Sequence, residues 1–200
     1  FYDPEGGKYA NPYGITAVKK MDLPPGPTYD VEGQMAKPGF KVLHAQDIDF
    51  RSNCLTFKDA LEEVRQWSEV HPGHMPILIM INTKESLIDQ PNFVQPIPFD
   101  GQAFDRLDQE ILGVFEMSDL IVPDRVRGDY ETLESAITND QWPTLKESRG
   151  KIFFALDADQ DKIDIYKDGH PSLQDRILFV NVKEGQPAAA FRVINDPVKN

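Results

Sequence analysis

Five consecutive apolar residues, Ile77-Leu78-Ile79-Met80-Ile81, lie between Met75-Pro76 and the polar Asn82. A strand with one wet face alternates apolar and polar residues. An unbroken run predicts a strand covered on both faces, the habit of parallel sheets flanked by helices. Similar runs recur at Lys151–Asp157, Arg176–Val182 and Ala190–Asn195, with shorter ones at Phe40–His44 and Leu120–Pro123. Amphipathic helices are predicted between the early runs. Thr56-Phe57-Lys58-Asp59 matches a capping box, and Phe57, Leu61, Val64 and Trp67 follow at helical spacing until His71-Pro72-Gly73 stops them. Asp100-Gly101 opens a second helix, with Phe104, Leu107, Ile111, Leu112 and Phe115 on one stripe, and short helices are expected at Tyr130–Asn139 and Thr144–Arg149.

Strands alternating with helices define an α/β class with a parallel sheet. Two arrangements fit, an open doubly wound sheet or a TIM-type (β/α) barrel. No strand is followed by G-x-G-x-x-G or G-x-x-x-x-G-K, which weakens a nucleotide-binding sheet. The strands instead carry polar residues at their C-terminal ends: His44, Asn82, Asp157, Asn181 and Asn195. In a barrel those ends share one rim, and the rim holds the site. Full barrels run to about 250 residues, so 1–200 is expected to be a single, incomplete barrel domain of roughly six of eight units, its first and last strands missing. Residues 1–38, broken by Pro4, Gly6, Gly7, Pro12, Gly14 and a later Pro/Gly cluster, read as a long rim loop. The start at Phe1 and the finish directly after an apolar run read as a processed or truncated chain. Open barrel edges would then be covered by a missing segment or a partner chain.

Composition narrows the function. A net charge of −12 argues against a nucleic-acid footprint. No stretch approaches the roughly 18 apolar residues of a transmembrane helix. The single cysteine, Cys54, excludes an internal disulfide and a cysteine-based zinc site, and neither G-x-S-x-G nor H-E-x-x-H occurs. What remains is His44 with Asp47 and Asp49 close behind it, a pattern in which a carboxylate can fix the imidazole tautomer, or simply a turn histidine. Asn82-Thr83-Lys84 offers an amide oxygen suited to Ca²⁺ and an ammonium suited to phosphate, or a plain polar turn. Asp157-x-Asp159-x-Asp161 fails the full calcium-loop pattern and reads as a solvated acidic turn. Trp67 and Trp142 are expected as core or helix-packing residues, and Cys54 as a small buried residue.

Larger blocks carry a resemblance. Tyr2-Asp3-Pro4-Glu5-Gly6-Gly7, then Lys41 through Ser52, Cys54-Leu55-Thr56-Phe57, the helix with Trp67, and Pro76 through Lys84 together resemble bacterial calcium-dependent phosphoinositide-specific phospholipase C-like proteins, of the PLC-like phosphodiesterase superfamily. The likeness is strongest over residues 1–86. It implies a TIM-type barrel and Ca²⁺-assisted cleavage of a phosphodiester by two histidines. One histidine activates the inositol 2-hydroxyl; the other stabilises charge on the phosphoryl oxygens or leaving group. His44 is similar to that second histidine and is the catalytic candidate. Asp47 is expected behind it, Lys84 and Arg51 facing the substrate, and Asn82 at the metal, where relatives often carry Glu. The resemblance places the first histidine and a Glu-x-Asp calcium pair upstream of the Asp3–Gly7 segment, so most Ca²⁺ ligands are expected before Phe1. It implies lipid metabolism, a phosphodiester substrate such as a phosphoinositide lipid, and a secreted or periplasmic location. Two other readings stay open: a glycerophosphodiester phosphodiesterase, and a non-catalytic binding module of the same fold.

Overall fold

The computed structural model describes residues 1–194. The chain divides into two compact units, Phe1–Val64 with Lys84–Phe99, and Arg65–Thr83 with the segment from Asp100 onward.

The first unit is built on aromatic packing with little regular structure. Strand β1 (Tyr2–Asp3) pairs antiparallel with β2 (Gly39–Phe40). The ring of Tyr2 stacks on Phe40 at 5.1 Å, and Phe40 stacks on Phe99 at 5.8 Å. Phe1, Tyr9 and Met35 form a second buried cluster, with Leu43, Leu55 and Val94 packed against it. Helix α1 (Tyr13–Lys20) lies inside the segment expected to be loop throughout. Pro12 precedes its first turn and its lysines fall at its C-terminus, where cations suit the dipole, so the helix hides behind the breakers that flank it. The expected strand at Phe40–His44 shrinks to β2 and a single bridge from Lys41 to Thr56. It belongs to no parallel sheet.

The Tyr2–Gly7 motif makes a turn. The buried Asp3 carboxylate accepts from the backbone N–H groups of Gly6 (3.0 Å) and Lys8 (3.1 Å). Gly6 has φ of +80°, and a Cβ there would collide with the carbonyl oxygen of Ala36 and the backbone of Lys37. Gly6→Ala is therefore expected to destabilise the chain by about 2 kcal/mol or more, since positive φ and a backbone clash add. The check is urea denaturation, with Gly7→Ala as comparison: Gly7 has the same sign of φ but open space around it.

Helix α2 (Phe57–Val70) starts as its sequence predicts: the Thr56 hydroxyl accepts from Asp59 N–H at 3.1 Å. It buries only Leu61. Trp67, expected as a core or helix-packing residue, is 47% exposed and stacks on His71.

The second unit holds a four-stranded parallel sheet. Strand β3 (Ile77–Ile81) is followed by α3 (Gly101–Leu112), α4 (Pro123–Arg127), α5 (Leu133–Thr138) and α6 (Leu145–Ser148). Then come β4 (Ile152–Leu156), α7 (Gln160–Lys167), β5 (Leu178–Asn181) and β6 (Ala189–Phe191). The order across the sheet is β3-β4-β5-β6, every neighbour parallel. Central β4 and β5 are buried as their runs predicted. Edge strand β3 is not: Leu78 and Met80 alternate outward at 44% and 47% exposure, so its continuous apolar run marks an uncovered face as well as a covered one. Among the described residues the parallel strands number four, not six, and no closed barrel forms. Leu120 contributes one parallel bridge to Ile152 in place of a strand. Helix α7 starts inside the acidic stretch expected as a turn, with Asp161 in its first turn, where a carboxylate favours the helix. Trp142 packs on Phe179 and Phe153 yet stays 36% exposed, a packing residue at the edge of the core. Asn195 lies outside the described residues.

Under this sheet α3 and α7 enclose a polar knot. The Tyr166 hydroxyl donates to Asp108 Oδ1 at 2.9 Å and accepts from Leu178 N–H at 2.9 Å. Arg176 reaches Asp105 at 2.7 Å and Asp108 Oδ2 at 3.3 Å, and its Nε donates to the Tyr166 carbonyl.

Candidate functional site

His44 follows β2 in a bend, just before a tight turn closed by the antiparallel bridge Ala45–Asp49. The turn brings Asp49 back against the ring: its Oδ2 lies 2.8 Å from His44 Nδ1. A carboxylate on Nδ1 keeps that nitrogen protonated and leaves Nε2 to meet another group. The imidazole is 75% exposed, so Nε2 faces solvent-accessible space. Carboxylate-oriented imidazoles of this kind perform proton transfer and charge stabilisation.

Asp47, expected behind His44, does something else. Its φ is +67°, and its buried carboxylate accepts from Tyr13 N–H and Val94 N–H, both at 2.6 Å. Two backbone donors hold it inside the fold, and the side chain next to the histidine is Asp49.

The same turn is fastened to the segment that carries Lys84. Gln46 Nε2 donates to the Ser86 carbonyl at 3.0 Å, and Asp47 reaches Val94 as above. Gln46 is two residues from His44 and Ser86 two from Lys84, so the imidazole and the ammonium stand on stapled segments of one unit. Lys84 is half-buried, and no hydrogen bond or ion pair among the described residues engages its Nζ. Gln46 carried no signal in the sequence; its role rests on a contact 40 residues away.

Arg51 stands apart from that pair. Its guanidinium lies over the Phe50 ring at 5.4 Å and donates to the Pro27 carbonyl at 2.8 Å, at the wall of a separate cleft. Asn82 belongs to the second unit. It caps the C-terminal end of β3, where its Nδ2 donates to the Asp157 carbonyl at 3.0 Å. Asn181 closes β5 in the same sense, its side-chain oxygen accepting from Val193 N–H at 3.0 Å. Three of the polar residues expected at strand ends, Asn82, Asp157 and Asn181, thus lie along one edge of the parallel sheet.

The amide oxygen of Asn82 is a fitting calcium donor, but one amide is not a site. Among the described residues no group of three His, Cys, Asp or Glu side chains is arranged to hold a metal ion. The residues present do not by themselves fit a calcium ion. No helix among the described residues is long and apolar enough to cross a membrane.

A model of the family described as phosphoinositide phospholipase C, Ca²⁺-dependent, matches residues 1–200. The chain belongs to that family. Solved structures are similar to it at low identity. One is a Ca²⁺-dependent phosphatidylinositol-specific phospholipase C from Streptomyces antibioticus, 20% identical with a TM-score of 0.50, over 66% of this chain and 44% of that one. Another is the calcium-dependent phosphoinositol-specific phospholipase C of a Pseudomonas species in complex with myoinositol, 22% identical with a TM-score of 0.48, over 62% of this chain and 40% of that one. The chain therefore spans less than half the length of these two relatives. No curated protein matches the chain. The likeness to the Streptomyces structure supports the mixed α/β fold with its parallel sheet.

Proposed function

We propose that this chain carries part of the site of a phosphodiesterase that cleaves inositol phosphodiesters, with His44 as its catalytic imidazole. The observation that carries the reading is the Asp49–His44 pair: one ring nitrogen is held by a carboxylate and the other has no partner among the described residues, on a turn stapled to the Lys84 segment. In such a cleavage the attacking hydroxyl oxygen bonds to phosphorus as the bond to the leaving alcohol breaks. The hydroxyl gives up a proton and the leaving oxygen takes one. A protonated Nε2 on His44 supplies charge or that second proton, and Asp49 on Nδ1 stabilises the imidazolium. The Lys84 ammonium suits the nonbridging oxygens as a point charge. Arg51 is the weaker candidate, since its fork is already turned to a carbonyl. Asn82 is proposed to contribute one ligand of the calcium the family description names, its other ligands coming from outside the described residues; no step here is routed through the ion.

The fold reading belongs to the same proposal. The four parallel strands are part of a TIM-type barrel, and a further segment or partner chain covers the outward face of β3. The substrate is a phosphoinositide-type diester and the location secreted or periplasmic. The test is a substrate panel on the full-length protein with Ca²⁺ present. Release of a cyclic inositol phosphate is expected, because only attack by the neighbouring hydroxyl forms it. Hydrolysis of glycerophosphodiesters with no cyclic product would replace this reading with the glycerophosphodiesterase one. Saturable binding without turnover of either diester would leave a binding module.

A further inference from the structure

The turn that leads from α2 into β3 sets a serine, a histidine and a carbonyl in series, all within the second unit. Ser68 Oγ lies 2.8 Å from His74 Nε2. The other ring nitrogen, Nδ1, lies 2.5 Å from the Met75 carbonyl oxygen. A carbonyl oxygen only accepts, so Nδ1 carries a proton. The neutral ring then presents a lone pair at Nε2, and the Ser68 hydroxyl donates to it. A hydroxyl held by an imidazole that a third group orients is the arrangement of an activated nucleophile. Here a main-chain carbonyl does the orienting.

The turn is fixed from both sides. His71 N–H donates to the Ser68 carbonyl at 3.0 Å and His74 N–H to the His71 carbonyl at 2.9 Å, so two successive turns carry the ring back to the end of α2. The segment before β4 clamps it: Arg149 Nη1 donates to the Gly73 carbonyl at 2.7 Å, and Gly150 N–H to the His74 carbonyl at 2.9 Å. Gly150 has φ of +72°, and a Cβ there would strike the Pro72 carbonyl oxygen. Such bonds set the distance from nucleophile to base before any ligand arrives.

Trp67 supplies a surface beside the pair. Its half-exposed indole lies 5.3 Å from the His74 ring and stacks on His71 at 4.2 Å. His71 Nδ1 donates to the Trp67 carbonyl at 2.7 Å, so the ring against the indole is itself held. An exposed, immobilised indole offers a flat apolar face to an aromatic group. Ser68 and His74 are each half-buried, and neither is sealed from solvent.

The geometry points to a second reactive site: Ser68 is a nucleophile toward aryl esters of short carboxylic acids, with His74 as its base and Trp67 as the seat of the aromatic leaving group. The Ser68 oxygen bonds to the ester carbonyl carbon and the bond to the aryl oxygen breaks. The hydroxyl proton passes through His74 Nε2 to the departing aryloxide, leaving an acyl ester on Ser68 and a free phenol. This activity goes beyond the phosphodiesterase reading and stands without it.

The full chain is incubated with p-nitrophenyl butyrate at pH 8 and the butyrylated positions are mapped by mass spectrometry. Hydroxylamine treatment separates esters on hydroxyls, which it removes, from amides on lysines, which it spares. A hydroxylamine-labile butyryl group is expected on Ser68, formed faster than on the exposed Ser118. His74→Gln is expected to slow labelling of Ser68 by about 10²-fold or more, the worth of a positioned base. Trp67→Ala is expected to slow labelling by the aryl ester about fivefold and to leave labelling by butyric anhydride, which has no ring, unchanged. No butyryl group on Ser68, labelling there no faster than at Ser118, undiminished labelling in His74→Gln, or equal slowing of ester and anhydride in Trp67→Ala would each overturn the proposal.

Discussion

Arg176→Met is expected to destabilise the chain by about 3–5 kcal/mol at pH 8 and by roughly half that or less at pH 5. The size comes from leaving a buried carboxylate without its cation. Asp108 is 7% exposed and Arg176 equally enclosed, and the two meet at 3.3 Å beside the Tyr166 hydroxyl. Burial dominates the carboxyl: it pushes Asp108 from the usual 3.8 up to about 6, against the pull of Tyr166 and Arg176. Because the folded value is the higher one, the folded chain binds more protons than the unfolded chain between about pH 4 and pH 6. The contribution of this group to stability is complete below about pH 4 and is lost as pH rises through 6, a fall of up to about 3 kcal/mol. Without Arg176 the carboxyl has less to hold its charge and takes a proton at still higher pH, which relieves the variant at pH 5 and not at pH 8. The remaining cost at pH 5 is the lost bonds to Asp105 and to the Tyr166 carbonyl. Urea denaturation at both pH values measures the difference. Asp108→Asn should flatten the acid-side slope, and the double variant should show little pH dependence. Equal losses for Arg176→Met at pH 5 and pH 8 would show that Asp108 stays ionised throughout.

That network was invisible as a network in the sequence, since its two acids lie 58 to 71 residues from the side chains they meet. One of its members did leave a trace. Asp108 stands between Leu107 and Ile111 on the apolar stripe of α3, and an acid on a buried stripe needs a partner. Features carried by near neighbours were legible throughout. Thr56 caps α2, Asp100 caps α3 through Ala103 N–H, and Thr144 with Glu147 forms the box that starts α6, each readable within four residues. Apolar runs located β4 and β5 for the same reason. Pairing was not legible: Val42 and Leu43 are as apolar as a strand requires, yet Leu43 packs against the Phe1–Tyr9–Met35 cluster and neither joins the parallel sheet. Helix α7 was masked because Asp159 and Asp161 are good residues for a helix start and equally good for a turn. At the site, the proximity of carboxylates to His44 was readable; which one serves it was not. Asp47 is settled by backbone donors 34 and 47 residues away, and only their positions leave Asp49 for the imidazole.

In the full-length protein, His44→Ala is expected to lower Ca²⁺-dependent cleavage of an inositol phosphodiester by about 10²–10⁴-fold in kcat, the usual worth of a positioned acid or base. KM should move little, because the proposed Lys84 contact is untouched by the substitution. The partner variant separates chemistry from folding. Asp49→Asn keeps the shape and loses the charge on Nδ1. Both groups of the pair are more than half exposed, so water screens much of their attraction and the expected loss is only about tenfold. Asp47→Asn makes the opposite pattern: it weakens the anchoring of Tyr13 and Val94, so the thermal midpoint falls while kcat per folded molecule changes little. The order of loss in kcat is therefore His44→Ala, then Asp49→Asn, then Asp47→Asn. Full turnover in His44→Ala would remove the imidazole from the reaction, and a larger catalytic loss in Asp47→Asn than in Asp49→Asn would mean that the turn rearranges when substrate is bound.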